Sequence, residues 1–228
     1  MKTLYICGMI KTDKNASQVA EFLLQIKAIE IKPQNPFTWA SGMRSPIYCD
    51  NRKILSYPQI RTYIRQQFVE LVEEHFGKPE VIAGVATGGI PLGALIAQEL
   101  GIPFVYVRSS SKKHGLENKI EGVLQSGQSV VVIEDLVSTG KSSLDAVDAL
   151  RDSGARILGM ASVFCYGFDI AHNNFKDHQV ELVSLTDYPT LLEVARDLEY
   201  IEPKYMEQLS TWQINPKLWS DNFEKVNS

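Results

Sequence analysis

Across residues 17–29, Val19, Phe22, Leu23 and Ile26 recur at three- and four-residue spacings, the period that gathers apolar side chains on one helix face. Asn15 or Ser17 is a suitable cap for that helix. The same period returns over 57–76, where Ile60, Ile64, Phe68, Leu71 and Val72 share a face. Between the two lies a stretch rich in Pro, Ser and Gly, residues 32–51, in which short strands around 37–39 and 46–48 are expected to form a small hood. From Val81 the rhythm changes. Residues 81–85, 104–107, 130–133 and 157–164 are short apolar runs, with helical patterns at 91–100 and 142–153. A further apolar run at 182–185 and a helical pattern at 190–198 continue the alternation. Strands buried on both faces lose their polar alternation, so this rhythm predicts an α/β fold with a central, mainly parallel sheet flanked by helices. Residues 1–60 read as an N-terminal helix and hood, 61–201 as the core, and 202–228, with Trp212 and Trp219, as a helix and tail packed on it. Ligands of such sheets bind beyond the carboxyl ends of the strands, which directs attention to the loops after Val85, Val107, Ile133 and Phe164.

Composition narrows the class without choosing a function. With 228 residues, 44% hydrophobic and 22% charged, the chain suits one large domain or a domain with a small appendage, and it is not disordered in composition. A formal net charge of −4 argues against a general nucleic-acid binder, while leaving room for a local basic patch that meets a small anion. Cys7, Cys49 and Cys165 are far apart with no CxxC pair, which points to free thiols in a reducing compartment. No apolar run approaches the ~20 residues of a bilayer crossing, and the first nine residues lack a secretory cleavage site. A cytoplasmic protein with no membrane partner is expected.

The richest chemical signal runs from Val130 to Ser143. An apolar strand ends in two acids, Glu134 and Asp135, and passes through Leu136 and Val137 into a Ser138-Thr139-Gly140-Lys141-Ser142 turn that opens a helix. Backbone N–H groups at that helix start, with the hydroxyls of Ser138, Thr139, Ser142 and Ser143, can cradle a phosphate dianion, and Gly140 allows close approach. The acids would repel a phosphate and suit ribose hydroxyls, or a nearby cationic charge, instead. A nucleoside-triphosphate loop is excluded, because the glycine required five positions before Gly140 is Asp135. The plainer alternative is a buried strand with a solvated end and a capped helix, but strand, acid pair and phosphate-type turn in this order favour a sugar-phosphate site.

Two further loops gain meaning beside the first. Ala86-Thr87-Gly88-Gly89-Ile90-Pro91 follows a strand, and its N–H groups can point at an anion or merely connect strand to helix. The long polar connection from Arg108 to Gly122 carries Arg108, Lys112, Lys113 and His114. It fits a lid that closes over a departing anion as well as it fits a solvated hairpin.

The acid pair with its turn resembles the phosphoribosyl pyrophosphate signature of the type I phosphoribosyltransferases. Two other stretches are similar to the orotate phosphoribosyltransferases in particular. One is the lid, Arg108, then Lys112, His114-Gly115, and later Asn118-x-Ile120-Glu121-Gly122; the other is the hood, Phe37-Thr38-x-x-Ser41-Gly42-x-x-Ser45-Pro46-x-Tyr48. The resemblance implies a type I phosphoribosyltransferase fold and transfer of ribose 5-phosphate from phosphoribosyl pyrophosphate to orotate, giving orotidine 5′-monophosphate in pyrimidine biosynthesis. It implies that Glu134 and Asp135 border the ribose and that residues from Leu136 to Ser142 take the 5′-phosphate. Thr87, Gly88, Gly89, Arg108 and Lys113 would meet pyrophosphate. Lys112 becomes the principal catalytic lysine, with His114 and Asp135 beside it. Ser41, Gly42, Arg44, Tyr48 and Ser138 would surround orotate, with Arg44 opposite its carboxylate. The family also implies Mg²⁺, held mainly by substrate and water with no direct protein ligand, and a homodimer whose lids serve the neighbouring subunit's site.

The chain departs from many family members at Ser109, where they carry a second lysine, and from some at Ala40 and Gly88, where they carry lysines too. The last two absences match a subgroup with Ala-Thr-x-Gly-Ile-Pro in the pyrophosphate turn. Purine and uracil enzymes of the same fold are the main rivals, and the hood argues against them. A regulator that only senses the sugar would lack the lid and carry a helix-turn-helix, which the first 36 residues do not show. A fused decarboxylase barrel needs about 250 residues of its own.

Overall fold

The computed structural model describes residues 13–39, 41–109 and 119–227. Helix α1 (Asp13–Gln25) stops before Lys27, whose φ of 53° is left-handed, and Ile29 falls in strand β1 (Ile29–Ile31) rather than in the helix. Strands β2 (Phe37–Thr38) and β3 (Arg44–Ser45) pair antiparallel, and β4 (Ile47–Cys49) pairs antiparallel with β1. These two ribbons are the expected hood, with its second strand divided at Pro46, which has no N–H to give a ladder. A 3₁₀ turn, Asn51–Ser56, leads into α2 (Pro58–Phe76), which begins on the proline whose missing N–H is harmless there.

The core then alternates as the apolar pattern predicts: β5 (Val81–Val85), α3 (Gly89–Leu100), β6 (Phe104–Val107), β7 (Ile120–Glu121), β8 (Ser129–Val137), α4 (Lys141–Asp152), β9 (Arg156–Cys165), α5 (Asp169–Asp177), β10 (Leu182–Asp187) and α6 (Tyr188–Asp197). The six-stranded sheet runs β10-β9-β8-β5-β6-β7, parallel throughout except for β6 against β7. Alternate residues feed two cores. Ile82, Val131, Ile133, Ala161, Val163 and Val183 pack toward the helices that include α1, α2, α3 and α6. Val81, Ala83, Val130, Val132 and Met160 pack toward α4 and α5, where Leu144, Val147 and Phe175 meet them.

Three differences from the sequence reading matter. Strand β8 does not stop at Ile133; its register with β5 ends there, while that with β9 runs on to Val137, so the acids lie inside a strand whose one edge is open. Helix α5 carries too little apolar periodicity to stand out, burying only Ala171 and Phe175. The C-terminal segment is two helices, α7 (Met206–Ile214) and α8 (Pro216–Asn227), broken at Asn215 before a proline that cannot continue a helix. Among the described residues no helix is long and apolar enough to cross a membrane.

Candidate active site

At the carboxyl end of β8 the chain turns through Ser138 and Thr139 to Gly140, whose φ of 77° is left-handed. A Cβ there would lie 2.5 Å from Cε2 of Phe175, so both conformation and space demand glycine. Asn174 Nδ2 donates to the carbonyl of Thr139 (2.9 Å), fixing the turn from the α5 side. Thr139, Lys141 and Ser142 are exposed and Ser138 is half-buried at the start of α4, an arrangement that leaves the helix's first N–H groups open to an anion. Ser143 does not join this cradle as expected. It is buried, and its hydroxyl donates to Glu134 Oε2 at 2.8 Å.

The acid pair divides. Glu134 is 5% exposed, with Oε1 accepting from the N–H of Asp135 at 3.0 Å. Burial pushes its carboxyl well above the usual carboxylate range, and the Asp135 charge adds to the effect. Its carboxylate meets the Asp135 N–H and the Ser143 hydroxyl. Asp135 is half-buried, and its carboxylate lies against the turn after β5: a Cβ on Gly88 would be 2.2 Å from Asp135 Oδ2. That explains the absence of a side chain at Gly88. In this turn the Ala86–Thr87 peptide is cis, Thr87 is exposed, and Gly88 and Gly89 are buried. A Cβ on Gly89 would come within 2.3 Å of the Ile133 carbonyl oxygen, so the turn is pressed directly onto β8.

The lid's base is set by the β6–β7 pairing, with Arg108 N–H donating to the Lys119 carbonyl at 2.8 Å. Arg108 itself pairs with Glu121 at 3.4 Å. Arg108, Ser109, Lys119, Ala86 and Ser142 border a cavity of about 60 Å³ that joins the lid base to both anion turns. Lys112, Lys113 and His114 lie outside the described residues.

In the hood, Ser41 and Gly42 are exposed at the tip of the β2–β3 hairpin, where Gly42 has a φ of 85°. Arg44 is engaged rather than free. Its Nη1 donates to Thr38 Oγ1 (2.9 Å), its Nε is 3.7 Å from Glu224 Oε1, and its backbone N–H donates to Ser220 Oγ (2.9 Å). Tyr48 is exposed and packs its ring on Phe37 with centroids 5.5 Å apart. Trp39 leans on Tyr166 and Trp212, which anchors the hood to the core. Ala40 is outside the described residues. Sequence reasoning missed the three residues that tie the hood down: Ser220, Glu224 and the buried Asn51, whose Nδ2 donates to the Asp135 carbonyl at 2.6 Å. Asn51 sat in plain view beside the hood motif, but a polar residue before a turn carries no local signal of a partner 84 positions away.

The phosphoribosyl transferase domain family matches residues 50–187, which spans both anion turns, the acid pair and the lid. An orotate phosphoribosyltransferase of Bacteroides fragilis is 54% identical over 200 residues, covering 88% of this chain and 94% of its own. The chain belongs to the orotate phosphoribosyltransferase family. A crystal structure of orotate phosphoribosyltransferase from Aeropyrum pernix superposes with a TM-score of 0.70 at 28% identity, over 81% of this chain and 99% of that one. The UMP synthase of Leishmania donovani shares the fold, with a TM-score of 0.75 at 23% identity; the match covers 89% of this chain and 43% of the synthase. The α/β architecture with its curled, mainly parallel sheet is thus the type I phosphoribosyltransferase fold. The domain match covers residues 50–187, so α6, α7 and α8 lie outside it, as do all four hood strands.

Proposed function

We propose that this chain transfers the ribose 5-phosphate group of phosphoribosyl pyrophosphate to orotate, releasing pyrophosphate and forming orotidine 5′-monophosphate for pyrimidine biosynthesis. The observation that carries the reading is the contact of Asp135 with Gly88: an acid suited to ribose hydroxyls stands between a turn for one anion and a turn for another. A sugar bearing a phosphate at one end and a pyrophosphate at the other fits that order, and few other metabolites do. Relatives named orotate phosphoribosyltransferase at 54% identity support orotate as the base.

The chain's residues bind, orient and neutralise. N–H groups and hydroxyls from Leu136 to Ser142 take the 5′-phosphate, Asp135 accepts from the ribose hydroxyls, and Thr87, Gly88 and Gly89 receive the pyrophosphate. Glu134 supports Asp135 from beneath. As the C1–O bond lengthens, Lys112, Arg108, Lys113 and His114 meet the charge that gathers on pyrophosphate, and Lys112 is the principal catalytic residue. Arg108 exchanges Glu121 for that anion. Ring nitrogen N1 of orotate forms the new bond to C1 as the C1–O bond breaks, and its proton passes to the released pyrophosphate, while Ser41, Gly42, Tyr48 and Ser138 orient the ring and Arg44 faces its carboxylate. The Glu224 pair on Arg44 is long and exposed, so exchanging Glu224 for the orotate carboxylate costs little.

Mg²⁺ would be held mainly by substrate oxygens and water, as the family implies, with the Asp135 carboxylate beside the pyrophosphate turn placed to accept from that water. When bound, the ion neutralises part of the pyrophosphate charge. The reading extends to a cytoplasmic homodimer whose lids cross between subunits; the free thiols of Cys49 and Cys165 fit a reducing compartment.

The deciding test offers phosphoribosyl pyrophosphate with orotate, uracil, adenine and hypoxanthine in separate reactions and follows pyrophosphate release. Release with orotate alone is expected. Release only with another base would move the assignment to a different member of the fold.

A further inference from the structure

Asp135 lies in a part of β8 that has lost its neighbour on one side, since the β5 register ends at Ile133. Both of its backbone groups are instead held by side chains. Its N–H donates to Glu134 Oε1 at 3.0 Å, and its carbonyl accepts from Asn51 Nδ2 at 2.6 Å. Asn51 is 1% exposed and begins the 3₁₀ turn immediately after the hood. Its amide orientation is fixed by chemistry. The Asp135 carbonyl can only accept, so Nδ2 must face it, since the flipped amide would set two oxygens against each other; Oδ1 is then left to accept from the Cys49 thiol (3.3 Å). A donor with one geometry thus connects the last hood strand to the peptide that carries the acid.

Resting on the reading of Asp135 as the ribose acid, we propose that Asn51 is a positioning residue that holds Asp135 in register with the hood, so that the sugar and the base are presented to each other at a fixed distance. Without Asn51 the 135–136 peptide has no strand on its open edge to set its angle, and the Asp135 side chain would swing relative to Gly88. A hydrogen bond at 2.6 Å from a buried amide does more here than satisfy a carbonyl, because the carbonyl it satisfies belongs to the residue that touches substrate.

Asn51→Ala removes the donor, and Asn51→Asp keeps the shape while placing an acceptor against the carbonyl. For folded Asn51→Ala, kcat/KM for phosphoribosyl pyrophosphate is expected to fall about 10- to 100-fold, the scale of a small misplacement of reacting groups, with the KM for that sugar moving further than the KM for orotate. Asn51→Asp should be the worse of the two in sugar affinity by titration calorimetry while melting as a cooperative, folded protein. A residue that is merely structural would lower the melting temperature and leave both KM values and kcat per folded molecule unchanged. That result, or equal losses for the two substrates, overturns the proposal while the site stands. Wild-type protein that binds no phosphoribosyl pyrophosphate would instead bring down the site reading and Asn51 with it.

Discussion

Glu134 and Asp135 are neighbours in the chain and live in different surroundings. Glu134 sits beneath the sheet edge, with Ser143 and the Asp135 N–H as partners, and burial pushes its carboxyl above the usual carboxylate range. The sign of the consequence follows from linkage. Below the ordinary carboxyl value of 4.5 both folded and unfolded chains carry the proton, and this group's contribution is whole. As pH rises past it, the unfolded chain ionises while the folded one does not, so stability drains away until the raised folded value is passed. Glu134→Gln cannot ionise and can still meet both partners. Its melting temperature relative to wild type is therefore expected to climb between pH 4.5 and 8; a difference that stays level would show that Glu134 is ionised in the fold. Activity should separate the pair as well. Glu134→Gln is expected to keep its KM for phosphoribosyl pyrophosphate, whereas Asp135→Asn should raise it by roughly tenfold or more, the loss of a charge-assisted hydrogen bond. Steady-state kinetics on the two variants decides this.

At the scale of elements, the site is made by turns that glycine alone allows and by a hood that the C-terminal helix holds. Gly140→Ala forces a Cβ into a left-handed residue and into the Phe175 ring, and is expected to lower stability by about 2 kcal/mol in urea denaturation. Ser220→Ala on α8 frees the Arg44 backbone N–H at the base of the β2–β3 hairpin. Its signature should be a KM for orotate raised by about threefold to tenfold, with that for the sugar unchanged, as one ordinary hydrogen bond predicts. Glu224→Ala should do less, because that pair is long and exposed. What the sequence revealed, and what it hid, follows the same division. A turn between a strand and a helix start is written in consecutive residues, so the place of Ser138-Thr139-Gly140 could be read directly, and so could the doubly buried strands on either side. The inward turn of Glu134 was lost because the strand was taken to end at Ile133; once it runs to Val137, strand alternation itself sends the two acids apart. Asn51 with Asp135 and Ser220 with Arg44 are separated by 84 and 176 positions, and no period or motif marks such pairs.

For the whole molecule, the proposed dimer assigns each lid to the neighbouring subunit's site. Arg108 and Lys119 flank β6 and β7, the last two strands at one end of the sheet, while the acid stands on β8 near its centre. The proposed dimer, in which each lid serves the second copy, turns this into a measurement. Lys112→Ala and Asp135→Asn should each lose most turnover, the first through kcat because its charge contact belongs to the transition state, the second through sugar binding. Mixed in equal amounts after unfolding and refolding together, half of the dimers are hybrids. If lids cross, each hybrid has one site with both defects and one with neither, so about a quarter of wild-type activity returns. If each lid serves its own subunit, every site in the hybrid carries one defect, and the mixture is no more active than the two variants measured apart. Recovery also requires that the subunits exchange, which a mass measurement of the hybrid establishes independently of catalysis. Activity that stays absent from a demonstrated hybrid would return Lys112 to the site of its own chain.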